Sequence, residues 1–162
     1  MKKIVSLLLA ALLVFSLASC MGESPKEFTK DGMKITLTNK FTETTAEGYT
    51  VCYASNDVAV FVLKEPFTLQ EGLADFSIDD YAALVYAANA SKSPSEITKD
   101  GDLTVMEYSF LNEAENQTYS YYAAMFKSAD AFWLVQFSCK QENYTTQKPL
   151  FVDWAKTVSF AS

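Results

Sequence analysis

No histidine occurs among the 162 residues, which removes the usual general base, the usual zinc ligand and any Ser-His-Asp arrangement together. Carboxylates are then the abundant reactive groups. A glycosidase built on them needs two acids facing each other across a cleft, roughly 5 to 9.5 Å apart. Glu107 is the acid that falls inside a strand pattern, and the plainer reading of it is a solvent-facing or lysine-paired position. Asp100 and Asp102 share one turn and have oxygens to offer calcium, yet two acids and a glycine fall far short of an EF-hand loop. Cys52 and Cys139 have no histidine to lower a thiol pKa, which argues against a cysteine hydrolase. With five glycines in the whole chain, no phosphate-cradling glycine loop is present. No catalytic residue, metal or cofactor is expected, and the chain reads as a non-enzyme.

Aromatic side chains are the better candidates for contact chemistry. Tyr119, Tyr121 and Tyr122 cluster on one predicted strand, and Phe132 and Trp133 begin the next. Exposed, such rings make contact surfaces for sugars, peptides or proteins. Buried, they pack a sheet beneath helices. Strand alternation puts Tyr119 and Tyr121 on one face and Tyr122 on the other, so part of the cluster belongs to the core.

The elements that position these residues follow from periodicity. Asp31-Gly32 suits a tight hairpin turn and leads into a strand over Met33 to Thr38, where Ile35 and Leu37 alternate with threonines. Strands are predicted over Tyr49 to Ala54 and Val58 to Leu63. The second is apolar at every position, the pattern of a strand covered on both faces. Ser77 with Asp80 has capping-box spacing, and Ile78, Tyr81, Ala82, Val85 and Ala88 form one helical stripe. Thr98-Lys99-Asp100-Gly101 repeats the tetrapeptide at Thr29 to Gly32, but the flanks do not stay in register, so each is read as an independent Asp-Gly turn. Leu103 to Leu111, Thr118 to Phe126 and Ala131 to Cys139 read as a three-strand meander. A closing helix is predicted from about Pro149, with Phe151, Trp154, Ala155 and Val158 inward. Cys52 and Cys139 fall within predicted strands; a disulfide and two buried free thiols are both open for them.

The amino terminus carries an address. Met1-Lys2-Lys3 precedes an apolar run from Ile4 to Ala18, short of the ~20 residues that span a bilayer. Leu17-Ala18-Ser19-Cys20 matches a bacterial lipobox, in which the cysteine is lipidated and becomes the first mature residue. The expected organisation is a signal peptide over 1–19, lipidated Cys20 with a polar tether over 20–30, and one domain over 31–162. Two lysines leave with such a signal and every acid stays, so eleven lysines face 20 acids and the mature net charge is −9. That acidic, arginine-free surface is a poor match for nucleic acid or anionic lipid.

The order of strands, helix, three-strand meander and helix predicts an α+β domain, an antiparallel sheet flanked by helices on its faces. Gly32-Met33-Lys34-Ile35-Thr36-Leu37, the meander from Leu103 to Cys139 and the closing helix ending Thr157-Val158-Ser159-Phe160 resemble the Mog1p/PsbP-like α/β/α sandwich. That fold recurs in photosystem II extrinsic proteins, a Ran-binding nuclear import factor and small bacterial lipoproteins. The resemblance implies a binding or accessory module and brings no catalytic residue with it. The expectation is a lipoprotein at the extracytoplasmic face of the cell membrane, anchored through Cys20, with a protein or envelope partner and no nucleic acid. The alternative is a carboxylate-based hydrolase acting on envelope glycans.

Overall fold

The structure, a computed structural model, describes residues 22–161, so the signal segment and Cys20 lie outside the described residues. In chain order the elements are β1 (Pro25–Lys30), β2 (Met33–Thr38), β3 (Thr42–Thr44), β4 (Val51–Ala54), β5 (Val58–Pro66), α1 (Ile78–Ala88), β6 (Thr98–Asp100), β7 (Leu103–Asn112), β8 (Gln117–Lys127), β9 (Ala131–Lys140), α2 (Tyr144–Ala155) and β10 (Ser159–Phe160). Strands β3-β4-β5-β9-β8-β7-β6 form one seven-stranded sheet, antiparallel throughout. Strands β1-β2-β10 form a small second sheet.

Local chemistry explains the turns. Lys30 pairs with Met33, leaving Asp31-Gly32 as a two-residue loop with φ of 48° and 93°. Two successive positive φ values match the twist of the flanking strands, and Asp-Gly accepts them readily. The second copy of the tetrapeptide behaves differently. Asp100 pairs with Leu103, so the loop is Gly101-Asp102, with Gly101 at φ 62°. Helix α1 opens on the predicted capping box: Ser77 Oγ accepts from the Asp80 amide at 3.1 Å, and the Ser77 amide donates to Asp80 Oδ2 at 2.9 Å.

The sheet has a core on each face. On one side Val60, Val62, Trp133, Val135 and Phe137 pack against Met33, Ile35 and Leu37 of β2 and Phe151 and Ala155 of α2. On the other, Met106, Ala123, Met125, Phe132 and Leu134 pack against Tyr81, Ala82 and Val85 of α1. The α+β sandwich with helices on both faces is therefore present. Full double cover falls on β9, buried from Ala131 to Cys139. It does not fall on β5, where Val58, Val60 and Val62 are buried but Ala59, Phe61 and Leu63 are half-buried. The reason is placement: α1 lies over β7 and β8 and leaves the same face of β5 open.

Three expectations need correction. Pro25–Lys30, expected within the tether, form β1 and pair along the whole of β2, so the fold starts at Pro25 rather than Asp31. Their polar composition hid a strand of which Phe28 is the buried anchor. Helix α2 starts at Tyr144, not near Pro149, which sits inside it and is exposed. Proline has no amide to give the Thr145 carbonyl, and exposed Thr145 can satisfy that carbonyl with water. The closing Ser159–Phe160 is strand β10 on β2, not the end of a helix.

Candidate functional site

Two of the three acids singled out in the sequence are engaged by neighbouring side chains. Glu107 accepts from the Tyr144 hydroxyl at 2.6 Å and from Lys148 Nζ at 2.7 Å, which clamps α2 onto β7. Burial and this carboxylate hold the Tyr144 phenol far above its ordinary range. Asp100 accepts from the Tyr122 hydroxyl at 3.3 Å, and Asp102 is exposed at the hairpin tip. Among the described residues no three metal-binding side chains come together.

The disulfide reading is corrected by register. Cys52 lies opposite Phe61 and Cys139 opposite Val58, so β5 separates them and they point to opposite faces of the sheet. Strands two places apart are about 10 Å from one another, too far for a disulfide. Both are buried free thiols. Burial raises the Cys139 thiol to about 11, which keeps it protonated and unreactive at neutral pH.

The aromatic cluster divides in two. Tyr122, Phe132 and Trp133 are core and offer no surface to a partner, which corrects their place in the candidate binding surface. Phe132 stacks on Tyr81 of α1 at 4.4 Å, and Trp133 packs beside Phe160 of β10 at 5.3 Å. Tyr119 and Tyr121 are half-buried and line an open groove.

That groove occupies the part of the sheet that α1 leaves bare. It has two lobes lying end to end along β5 and β9. Ala59, Phe61, Ser138, Tyr119 and Tyr121 line the first, about 620 Å³, closed at its end by Ser55-Asn56-Asp57. Leu63, Glu65, Leu134 and Gln136 floor the second, about 610 Å³, walled by Leu84 and Val85 of α1 and by Leu69. A row of rings crosses between them. Tyr49 lies 5.0 Å from Phe61, Phe61 lies 6.5 Å from Tyr121, and Tyr121 stacks on Tyr108 at 4.7 Å.

Gln136 ties the row together from below. It is only 3% exposed, accepts from the Tyr108 hydroxyl and donates to the Tyr49 hydroxyl at 3.4 Å. Burial pushes the Tyr108 and Tyr121 phenols up, so both stay neutral hydrogen-bonding groups. At one end Lys92 Nζ lies 4.9 Å from the centre of the Tyr108 ring and 5.9 Å from that of Phe110, and burial lowers its pKa. Carboxylates rim both lobes: Asp57, Glu115 and Glu142 around the first, Glu47 and Glu65 around the second. Such a surface can hold apolar groups against rings and cations against acids.

No family model matches the chain, and no curated protein does. Solved structures do. The solution structure of cyanobacterial PsbP (CyanoP) from Synechocystis sp. PCC 6803 superposes with a TM-score of 0.55 at 13% identity, over 90% of this chain and 99% of that one. The chain has a PsbP-like fold. A second structure, a protein of Bacteroides thetaiotaomicron, superposes with a TM-score of 0.54 at 12% identity over 85% of this chain; the match spans 48% of that protein. At these identities the likeness speaks for the PsbP-like fold and not for any shared site.

Within this PsbP-like fold, the sequence reading missed Tyr49, Phe61 and Phe110 as parts of the groove, with Tyr108 buried behind them. Phe61 sits in an unbroken apolar run, which carries no period to show which face stays open. For Tyr108 and Phe110, shared parity with Met106 was visible, but the point at which α1 stops covering that face was not.

Proposed function

We propose that this domain is a non-catalytic binding module, lipid-anchored through Cys20 at the extracytoplasmic face of a membrane, and that it docks its partner in the groove along β5 and β9. The observation that carries the reading is the ring row Tyr49-Phe61-Tyr121, backed by buried Tyr108 and Gln136 and left uncovered by α1. A row fixed in place before any partner arrives loses little side-chain freedom on binding. The competing hydrolase reading has less support, because Glu107, the strand acid on which it leaned, is engaged by Tyr144 and Lys148.

The anchor reading rests on the lipobox, Leu17-Ala18-Ser19-Cys20. Among the described residues no helix is long and apolar enough to cross a membrane. Glu23 is paired with Lys40 at 2.6 Å, and the Ser24 carbonyl accepts from the Asn39 amide at 2.8 Å. In the sequence two residues, Met21 and Gly22, separate Cys20 from Glu23, a span of at most about 10 Å for an extended chain. On this reading the lipid holds the domain close to the headgroups rather than on a long leash.

Two experiments test the proposal. Metabolic labelling with a palmitate analogue should mark the wild-type chain and not Cys20→Ser, which should also lose membrane association. A photoreactive residue replacing Phe61, in the native membrane, should crosslink a distinct macromolecule, while the same residue at exposed Asp153 of α2 should not. Equal yields at both positions would remove the groove from the proposal.

A further inference from the structure

We propose that the occupant of the groove is an extended, lysine- or arginine-bearing polypeptide segment whose apolar side chains rest on the ring row. The inference deepens the binding-module reading and rests on it. Shape is the first argument. The floor runs along one strand direction, from Ala59 to Glu65 on β5 and from Lys140 to Leu134 on β9. Six residue steps at ~3.4 Å give a span of roughly 20 Å, two hollows with the ring row between them, which about six residues of extended chain would bridge.

Charge is the second argument. Five carboxylates rim the two lobes against Lys140 and Lys92. Lys92 lies over the Tyr108 ring and donates to Asn89 Oδ1 at 3.0 Å, while Glu65 accepts from Tyr81 and Glu115 from Tyr119 at 2.7 Å; these neutral partners cancel no charge, and five acids outnumber two lysines. The rim therefore presents net negative charge at both ends, on a domain that is itself strongly acidic. An anionic or nucleic-acid ligand is disfavoured, and a cationic chain is attracted from a distance and held along its length.

The character of the apolar wall is the third argument, and it separates a peptide from a glycan. Sugars rest on flat, open rings. Here the second lobe is walled by aliphatic groups, with Leu69 67% and Leu84 51% exposed, and its floor includes Leu63 and Leu134. Aliphatic side chains facing a trough match aliphatic and aromatic peptide side chains. The trough is a sheet face and not an edge, so recognition runs through side chains. Alternate residues of the guest would point down to the rings while their neighbours, the cations, reach the rim acids.

The test uses the protein purified from its membrane and two octapeptides, Lys-Val-Lys-Tyr-Lys-Val-Lys-Tyr and its counterpart with glutamate at every lysine. The lysine peptide is expected to bind and to shift the amide resonances of Phe61, Leu63, Tyr121 and Gln136. Binding should weaken about tenfold when salt rises from roughly 0.05 to 0.5 M. The combined variant Asp57→Asn, Glu115→Gln, Glu142→Gln and Glu47→Gln, all at exposed positions, should weaken it by a similar factor with unchanged melting temperature. Equal binding of both peptides, no binding of the lysine peptide, or a neutral chito-oligosaccharide shifting the same resonances in its place would each overturn the inference. Crosslinking from position 61 keeps the two readings apart. An adduct on a neutral or acidic segment sinks the basic-peptide inference and leaves the binding module standing, whereas no adduct removes the module reading as well.

Discussion

Phe61 and Phe137 lie on neighbouring strands, one residue out of register, and face opposite sides of the sheet. Truncating each to alanine should therefore give very different costs. Phe137 is fully buried, with ring centres of Phe151 at 5.6 Å, Trp154 at 6.3 Å and Tyr122 at 6.4 Å. Removing it leaves a closed cavity and should cost about 3–5 kcal/mol. That is a large part of the ~5–15 kcal/mol expected for a whole domain, and should lower Tm by on the order of 10–20 °C. Phe61 is half-buried and its ring borders open solvent. Its removal forfeits about half the transfer free energy of a phenylalanine, ~1 kcal/mol, and leaves no closed void, so Tm should fall only a few degrees. Urea and thermal unfolding followed by far-UV circular dichroism measure both. If Phe61→Ala costs as much as Phe137→Ala, the open face is really core, and the groove argument collapses. If Phe61→Ala barely alters stability yet abolishes partner crosslinking, the division between core and groove holds.

Other perturbations probe particular contacts. Ser77→Ala removes the α1 cap and should cost about 1 kcal/mol in urea unfolding, with Ser77→Thr, whose hydroxyl can still donate to Asp80, restoring most of it. The Asp80 carboxyl is held low by hydrogen bonds from Ser77, and the Asp130 carboxyl by Lys64 and Ser128, so the stability they contribute is present above the ordinary carboxylate pKa and lost as pH falls through their lowered values. The urea midpoint should therefore drop in acid, and less steeply in Asp130→Asn; an unchanged slope would deny Asp130 this role. Tyr53 is pushed up to about 12, chiefly by burial, and its hydroxyl has no hydrogen-bond partner among the described residues. Replacing it with phenylalanine should preserve or raise stability, and should flatten the loss seen as pH rises above about 10, because a raised phenol pKa favours the fold only while the proton stays on. Cys52 and Cys139 should resist a thiol-titrating reagent in the native protein and react in urea without prior reduction. A need for reductant would mean that they pair.

Much of the architecture was legible because neighbours in sequence made it. The Ser77–Asp80 cap, the stripe of Tyr81, Ala82 and Val85, the Asp31-Gly32 turn and the β7-β8-β9 meander all rest on contacts within a few residues or across a short hairpin. Parity also placed Tyr122 opposite Tyr119 and Tyr121 without any coordinates. Elements whose reason for existing is nonlocal were missed or displaced. Polar β1 is a strand because β2 pairs with it, two-residue β10 exists because β2 offers its other edge, and α2 begins within the polar run Tyr144–Lys148, which gives no apolar stripe to read.

The sequence by itself determined which side chains share a face, because a strand's period of two and a helix's of 3.6 follow from backbone geometry. It also determined that no histidine-based chemistry is available and that the surface is acidic. Only the tertiary structure decided which face is covered, and over what length. Trp133 and Phe132 became core because β2, β10 and α2 close one side and α1 the other, whereas Phe61 and Tyr121 stayed reachable because α1 settles over Met106, Ala123 and Met125 and stops short of them. The same nonlocal pairing put Cys52 and Cys139 on opposite faces, since their separation depends on the register of β4 and β9 against β5. Whether an aromatic residue becomes core or contact surface is settled by where distant segments come to rest, and the periodicity of its own strand carries no record of that.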